Sequence, residues 1–127
     1  MRESLRSGQR LRTMKNFKII SRQGRFFKGK FLNLWVLGIG NFENLAGETG
    51  PVLGVVVNRK VESRATRRNL WKRRIREVFR RYQEKISPET VMLIQVAKRS
   101  NPSTDIPSYE MLEKDMRESF CKAEIFK

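Results

Sequence analysis

The sequence predicts an α+β fold, a small sheet packed against helices, and three observations carry that prediction. Trp71, Ile75, Val78, Phe79, Tyr82 and Ile86 recur at helical spacing and gather on one side at about 100° per residue, an amphipathic helix. Two runs ahead of it, 31–37 and 52–57, are rich in strand formers and separated by turn residues. A third run, 90–97, is almost wholly apolar and suits a buried strand. The order is helix, two or three strands, helix, strand, helix, a sheet-on-helix layout.

Residues 1–12 are basic and aperiodic and read as a flexible arm, leaving 13–125 as a single domain. Thr13 can cap a first helix, with Met14, Phe17 and Ile20 or Ser21 near one face and Gly24 as the stop. In the first strand Leu32, Leu34 and Val36 point one way, and Phe31, Asn33, Trp35 and Leu37 the other. The stretch 38–51 carries Gly38, Gly40, Asn41, Asn44, Gly47, Gly50 and Pro51 and reads as a loop, although 39–43 can extend the strand. Gly54 interrupts the second strand and marks a close backbone approach. The long helix is expected over 66–85, and Ser87-Pro88 ends it. After a loop over 101–107, Ser108 caps a last helix whose apolar face is Tyr109, Leu112, Met116 and Phe120. Met111 stands where a capping box would need Glu or Gln.

The chain has 127 residues, enough for one core. Its 28 Lys and Arg against 13 Asp and Glu give a net charge of +15, which points to a polyanionic partner: RNA, DNA or an acidic membrane. No apolar run is long enough to span a bilayer, and no apolar segment of signal-peptide type follows the basic start, so a cytoplasmic location is expected. The single cysteine, Cys121, leaves no internal disulfide or multi-cysteine zinc site. Histidine is absent, which removes the Ser/His/Asp triad, His-dependent nucleases and most transition-metal sites.

The sharpest feature lies on the long helix and just ahead of it. Arg64, Arg67, Arg68, Lys72, Arg73, Arg74, Arg76, Arg80 and Arg81 are opposed only by Glu77. A solvated helix ordinarily mixes both signs, so this one calls for a polyanion. Arginine predominates, which favours forked hydrogen bonding to phosphate. Asn69, Arg73, Arg76 and Arg80 form a stripe with Lys72 at its border. A merely solvated basic face and a membrane-surface helix are the alternatives; the second suffers because the apolar stripe is needed for the core.

Within that helix, Arg68-Asn69-Leu70-Trp71-Lys72-Arg73-Arg74-Ile75-Arg76-Glu77 resembles the signature Arg-Asn-Arg-x-Lys-Arg-x-x-Arg-Glu of bacterial ribonuclease P proteins. Gly54-Val-Val-Val-Asn-Arg-Lys60 is similar to that family's Gly-hydrophobic-x-Val-Ser-Lys-Lys, and Arg10-Leu11 with Phe17 and Gly24 resembles its first helix. The resemblance implies a mainly antiparallel four-stranded sheet with three helices in the order αβββαβα, including a βαβ crossover. It implies a ribonucleoprotein whose RNA subunit holds the Mg2+ and hydrolyses the phosphodiester, while a protein monomer binds that RNA and the precursor tRNA. Arg68, Asn69, Lys72, Arg73 and Arg76 would meet the RNA subunit, joined by Arg59 and Lys60. Phe17 and Trp35, with Phe31 and Asn33 on the same strand face, would form a cleft for the single-stranded 5′ leader, because aromatic faces stack on unpaired bases of any sequence. The other reading of Phe31 and Trp35 is plain core.

This chain departs from the pattern in three places. Leu70 replaces the second motif arginine, so that contact is missing or supplied by Arg67 or Arg74. The turn Val61-Glu62-Ser63-Arg64 is one residue longer than the commonest form, and Ser21 stands where the family has an aromatic. The leading alternative function is a structural RNA-binding protein of ribosomal or assembly type. A DNA-binding protein is disfavoured by the lack of helix-turn-helix spacing. Arg99 and Cys121 remain a minor phosphate contact and a small core residue in this reading.

Overall fold

The computed structural model describes residues 10, 11, 13–45, 50–98 and 105–127, with only the backbone of Asn44. Most of the arm 1–12, the loop tip 46–49, Arg99 and residues 100–104 lie outside the described residues.

Helix α1 spans Met14–Gln23 and opens as the sequence predicts: the Thr13 side chain accepts from the Asn16 backbone N–H at 3.2 Å. It stops at Gly24, whose N–H donates to the Ile20 carbonyl at 2.8 Å. A Cβ at Gly24 would stand 2.5 Å from that same oxygen, so only glycine fits. Strand β1, Arg25–Lys28, pairs antiparallel with β2, Leu32–Gly38. The hairpin turn is fixed from below. The Asp115 carboxylate accepts the backbone N–H groups of Lys30, Phe31 and Leu32 at 2.8, 3.0 and 3.0 Å.

Two short 3-10 turns, Ile39–Asn41 and Glu43–Leu45, lead towards β3, Val52–Val56. Helix α2, Ala65–Tyr82, crosses to β4, Thr90–Val96, which lies parallel to β3 and antiparallel to β2. Helix α3, Tyr109–Ala123, closes the chain, with the Ser108 hydroxyl accepting from the Met111 N–H at 3.3 Å. The sheet order is β1-β2-β4-β3, and α2 is the crossover of a βαβ unit.

The two sheet faces are covered differently. Leu32, Leu34, Val36, Leu53, Met92, Ile94 and Val96 meet Trp71, Ile75, Val78 and Phe79 of α2 and Leu112, Met116 and Phe120 of α3. On the opposite face Val52, Val91 and Leu93 meet Ile20 of α1, with Leu11, Phe42 and Leu45.

Four expectations change; the simplest is Cys121, expected in the core and exposed on α3. The third strand is β1, ahead of β2, while 39–43 does not extend β2. The Ile39 N–H donates to the Glu89 carbonyl at 2.8 Å, and β4 begins only at Thr90, so no partner remains to pair with. The boundary of the arm at 12 lies too far along. Leu11 is buried, and its N–H donates to the Leu53 carbonyl at 2.9 Å, so Arg10 and Leu11 dock on the outer edge of β3. Phe31, expected on Trp35's face, precedes β2, where strand alternation does not govern it. It packs instead against the cluster under α2 and α3, with Lys30 Nζ 5.3 Å from its ring centroid.

Candidate nucleic-acid interface

The β3–α2 connection is built around two residues. The Asn58 carbonyl accepts from the N–H groups of Val61 and Glu62 at 3.0 and 2.9 Å, and its side chain accepts from the Lys60 N–H at 3.0 Å. This turn leaves Arg59 and Lys60 exposed at its tip. Glu62, in the longer turn, is buried. Its carboxylate accepts from Arg67 Nε at 2.7 Å and from the Trp71 indole N–H at 3.3 Å. A carboxylate so enclosed is tolerable because a charged donor meets it.

These contacts sort the cations of α2. Arg68 donates to the carbonyls of Glu62 and Ser63 at 3.1 and 2.7 Å, because its place on the helix is near the apolar side. Arg74 donates to the carbonyls of Ile106 and Pro107 at 3.1 and 2.7 Å, tying α2 to the segment before α3. Arg81 is pushed above its ordinary range by a hydrogen bond with the Tyr109 side chain. Arg67 is engaged by Glu62. Among the described residues no carboxylate pairs with Arg64, Lys72, Arg73, Arg76 or Arg80. Asn69 and Arg73 are exposed, and Lys72, Arg76 and Arg80 half-buried. Leu70 packs its side chain against the core cluster. Neither Arg67 nor Arg74 is free to stand in for the motif arginine that Leu70 replaces.

The second candidate surface is the α1 side of the sheet. Its register sets two neighbouring rows across the strands. Phe26, Trp35, Leu93 and Gly54 form one; Lys28, Asn33, Gln95 and Val56 form the next. Phe26 and Trp35 hold their ring centroids 4.8 Å apart at 50°, and Phe26 is 50% exposed. Phe17 reaches over the far end of the aromatic row. A Cβ at Gly54 would lie 2.8 Å from Phe17 Cε1, so the glycine lets the ring come down on the sheet. Burial falls along this face: Val52 and Val91 are sealed, whereas Trp35, Asn33, Gln95 and Val56 are half-buried. Asn33 Oδ1 is out of solvent without a hydrogen-bond partner, an acceptor whose desolvation nothing in the protein offsets.

The structure therefore brings Phe17, Asn33 and Trp35 to one face and leaves Phe31 on the other. Sequence reasoning missed Phe26, Lys28 and Gln95. The signal for the first two was the Arg-Phe-Phe-Lys alternation behind Gly24, only four residues long. Among the described residues no group of three Asp, Glu or Cys is placed to hold a metal ion. Glu62 and Asp115 are engaged as above, and Glu113 accepts from the Tyr82 hydroxyl and from Arg117. No helix of the described residues is long and apolar enough to cross a membrane.

The comparisons with known proteins agree with one another. A model of the ribonuclease P family matches residues 5–124. The ribonuclease P protein component of a Picosynechococcus species is 31% identical over 117 residues, covering 92% of this chain and 91% of that protein. Its counterpart from a Pseudanabaena species is 27% identical over 116 residues, covering 91% of each. The Staphylococcus aureus ribonuclease P protein superposes with a TM-score of 0.75 at 18% identity, over 94% of this chain and 98% of that one. The Thermotoga maritima protein does so with a TM-score of 0.70 at 25% identity, over 86% and 92%. With its signature helix, its βαβ unit and a family match along nearly its whole length, the chain belongs to the ribonuclease P protein family.

Proposed function

We propose that this protein is the RNA-binding subunit of ribonuclease P, acting as a monomer in the cytoplasm to promote endonucleolytic removal of the 5′ leader from precursor tRNA. The single observation that carries the reading is the juxtaposition of two unlike surfaces on one small domain. One is a helix face whose cations no carboxylate of the described residues neutralises; the other is a half-open sheet face bearing a tilted aromatic pair beside two amides. Asn69, Lys72, Arg73 and Arg76, with Arg59 and Lys60 on the preceding turn, meet the backbone of the RNA subunit by charge and forked hydrogen bonds. Arg68 supports them by holding the turn in place. Phe17, Phe26 and Trp35 stack unpaired leader bases, and Asn33 and Gln95 supply donors and acceptors beside them.

The chemistry resides in the RNA. The Mg2+ ions that the reaction uses are held mainly by the RNA subunit, and the protein's part is to bind, orient and neutralise phosphate charge. Reconstitution tests this. With a ribonuclease P RNA at low magnesium, the protein should speed leader removal, and the protein alone should leave precursor tRNA intact. A structural RNA-binding protein would bind the RNA without accelerating cleavage, and that outcome would overturn the reading.

A further inference from the structure

We propose that Asp115 and Arg25 are positioning residues for leader binding: they clasp strand β1 to helix α3 at both of its ends, and so set where Phe26 stands beside Trp35. The inference rests on the reading of the open sheet face as the leader surface, which it deepens.

Little in β1 itself accounts for its placement. It has four residues, lies at the edge of the sheet against β2 alone, and buries only part of Phe27. So short an edge strand gains too little from packing to offset the entropy of ordering it. Its register gives its two sides different surroundings. Arg25 and Phe27 lie opposite Val36 and Leu34, on the side of α2 and α3. Phe26 and Lys28 lie opposite Trp35 and Asn33, on the open side.

On the α3 side both ends are tied. At the turn, the Asp115 carboxylate takes the N–H groups of Lys30, Phe31 and Leu32, three donors that the protein must satisfy where the turn is covered. A Cβ at Gly29 would lie 2.8 and 2.9 Å from the two carboxylate oxygens and 2.5 Å from the Leu32 carbonyl oxygen, so the turn is shaped to admit Asp115. At the other end, Arg25 Nη2 donates to the Ala123 carbonyl at 2.9 Å. That carbonyl is the last of α3, where no intrahelical donor remains and the helix dipole favours a cation. The spacings match. Asp115 to Ala123 is about 12 Å along a helix, and Arg25 to Gly29 is about 13 Å along a strand. Asp115 is buried beneath the sheet, away from the open face, so it acts on a leader only through β1. A Phe26 ring held in place beforehand costs less to immobilise when a base stacks on it.

The full chain, reconstituted with a ribonuclease P RNA, tests the clasp. Asp115→Ala and Arg25→Ala should each weaken precursor tRNA by about three- to tenfold and leave leaderless tRNA within about twofold. Asp115→Ala makes the protein more cationic, so charge alone would tighten RNA binding instead. Glu118→Gln, exposed on the same helix, makes the same change in charge and should behave as wild type. Arg25→Ala should leave the salt slope unchanged; a smaller slope would put Arg25 on a phosphate and overturn its role. Coupling is the sharper readout. Either variant combined with Phe26→Ala should lose little more than Phe26→Ala alone. Fully additive losses would mean a general loosening of the fold and would overturn the proposal.

Amide hydrogen exchange in the free protein gives a readout without RNA. The β1 amides should exchange faster in both variants, and those of Lys30, Phe31 and Leu32 faster still in Asp115→Ala. Unchanged exchange along β1 would also overturn the clasp. If Asp115→Ala does not fold, Asp115→Asn, which keeps one acceptor oxygen, and Arg25→Ala, at an exposed residue, complete the same comparisons. If Phe26→Ala weakens precursor tRNA and neither clasp variant does, the clasp falls and the leader reading stands. If Phe26→Ala has no effect on precursor tRNA while exchange along β1 rises, the leader reading of this face falls, and the positioning role falls with it.

Discussion

The two faces of the sheet are made of similar strand residues and finish in different states. Beneath α2 and α3, Leu32, Leu34, Val36, Met92, Ile94 and Val96 are sealed by an 18-residue and a 15-residue helix. The other face has one helix of 10 residues, about 15 Å long, to cover four strands. It closes over Val52 and Val91 and leaves Trp35, Asn33 and Gln95 half-covered. The contrast separates two duties that a small domain must meet at once. The face that specifies the fold is uniformly apolar and complete. The other is incomplete, and there aromatic and amide side chains stand in adjacent rows where a flexible strand can reach them.

The largest effect in this comparison should come from the sealed face. Trp71 is fully buried in the cluster under α2, and its indole N–H donates to Glu62. Trp71→Ala should lower stability by about 3–5 kcal/mol, measured by denaturant unfolding. It also removes a bond that holds the β3–α2 turn, so RNA binding should fall with the fold. A loss under about 1 kcal/mol would mean that α2 is not the keystone of that face.

Where the two faces could be read from sequence, and where not, follows from the same difference. The sealed face was legible because complete burial enforces a period: Trp71, Ile75, Val78 and Phe79 repeat at helical spacing, and Leu32, Leu34 and Val36 alternate. The half-open face obeys no such rule. Strand β1 has four residues at a sheet edge, with Arg25, Phe26 and Lys28 exposed, too short for alternation to show. Strand alternation does not reach Phe31, which stands one residue before β2 in a turn governed by Asp115 some eighty positions away. Leu11 and Arg10 looked like part of a tail because a two-residue pairing on an edge strand leaves no periodic trace. The engagement of Arg67 and Arg74 depends on Glu62 and on the carbonyls before α3, which charge counting cannot see.

Trp35 tests the open face. It packs partly against the smaller cluster and meets the Phe26 ring at a tilt, so some loss of stability is expected. Trp35→Ala should nevertheless cost clearly less in unfolding than Trp71→Ala. Its main effect should be on precursor tRNA, weakened by about 1–3 kcal/mol, with leaderless tRNA and RNA-subunit assembly nearly unchanged. Phe26→Ala should reproduce that pattern more weakly, since its ring is the outer member of the pair. Equal weakening of both tRNA forms would remove the leader from this face.

The smallest effect, and the one that sharpens the reading of α2, is in salt dependence. Arg67 and Arg73 sit on the same helix with the same charge, but Arg67 is held by Glu62 and Arg73 has no carboxylate partner among the described residues. An arginine that meets an RNA phosphate displaces a counterion; one already neutralised inside the protein displaces little. Arg73→Ala should therefore shrink the log–log salt slope of RNA-subunit binding by about 0.7–0.9. Arg67→Ala should leave the slope nearly unchanged while reducing stability, because Glu62 stays buried after losing its charged donor. Leu70→Arg would restore the motif arginine and should steepen the slope by a similar increment, with a modest loss of stability as its apolar contact with the core goes. If Arg67→Ala and Arg73→Ala shrank the slope equally, the internal ion pair would open on RNA binding, and the sorting of α2 into committed and available cations would hold only for the free protein.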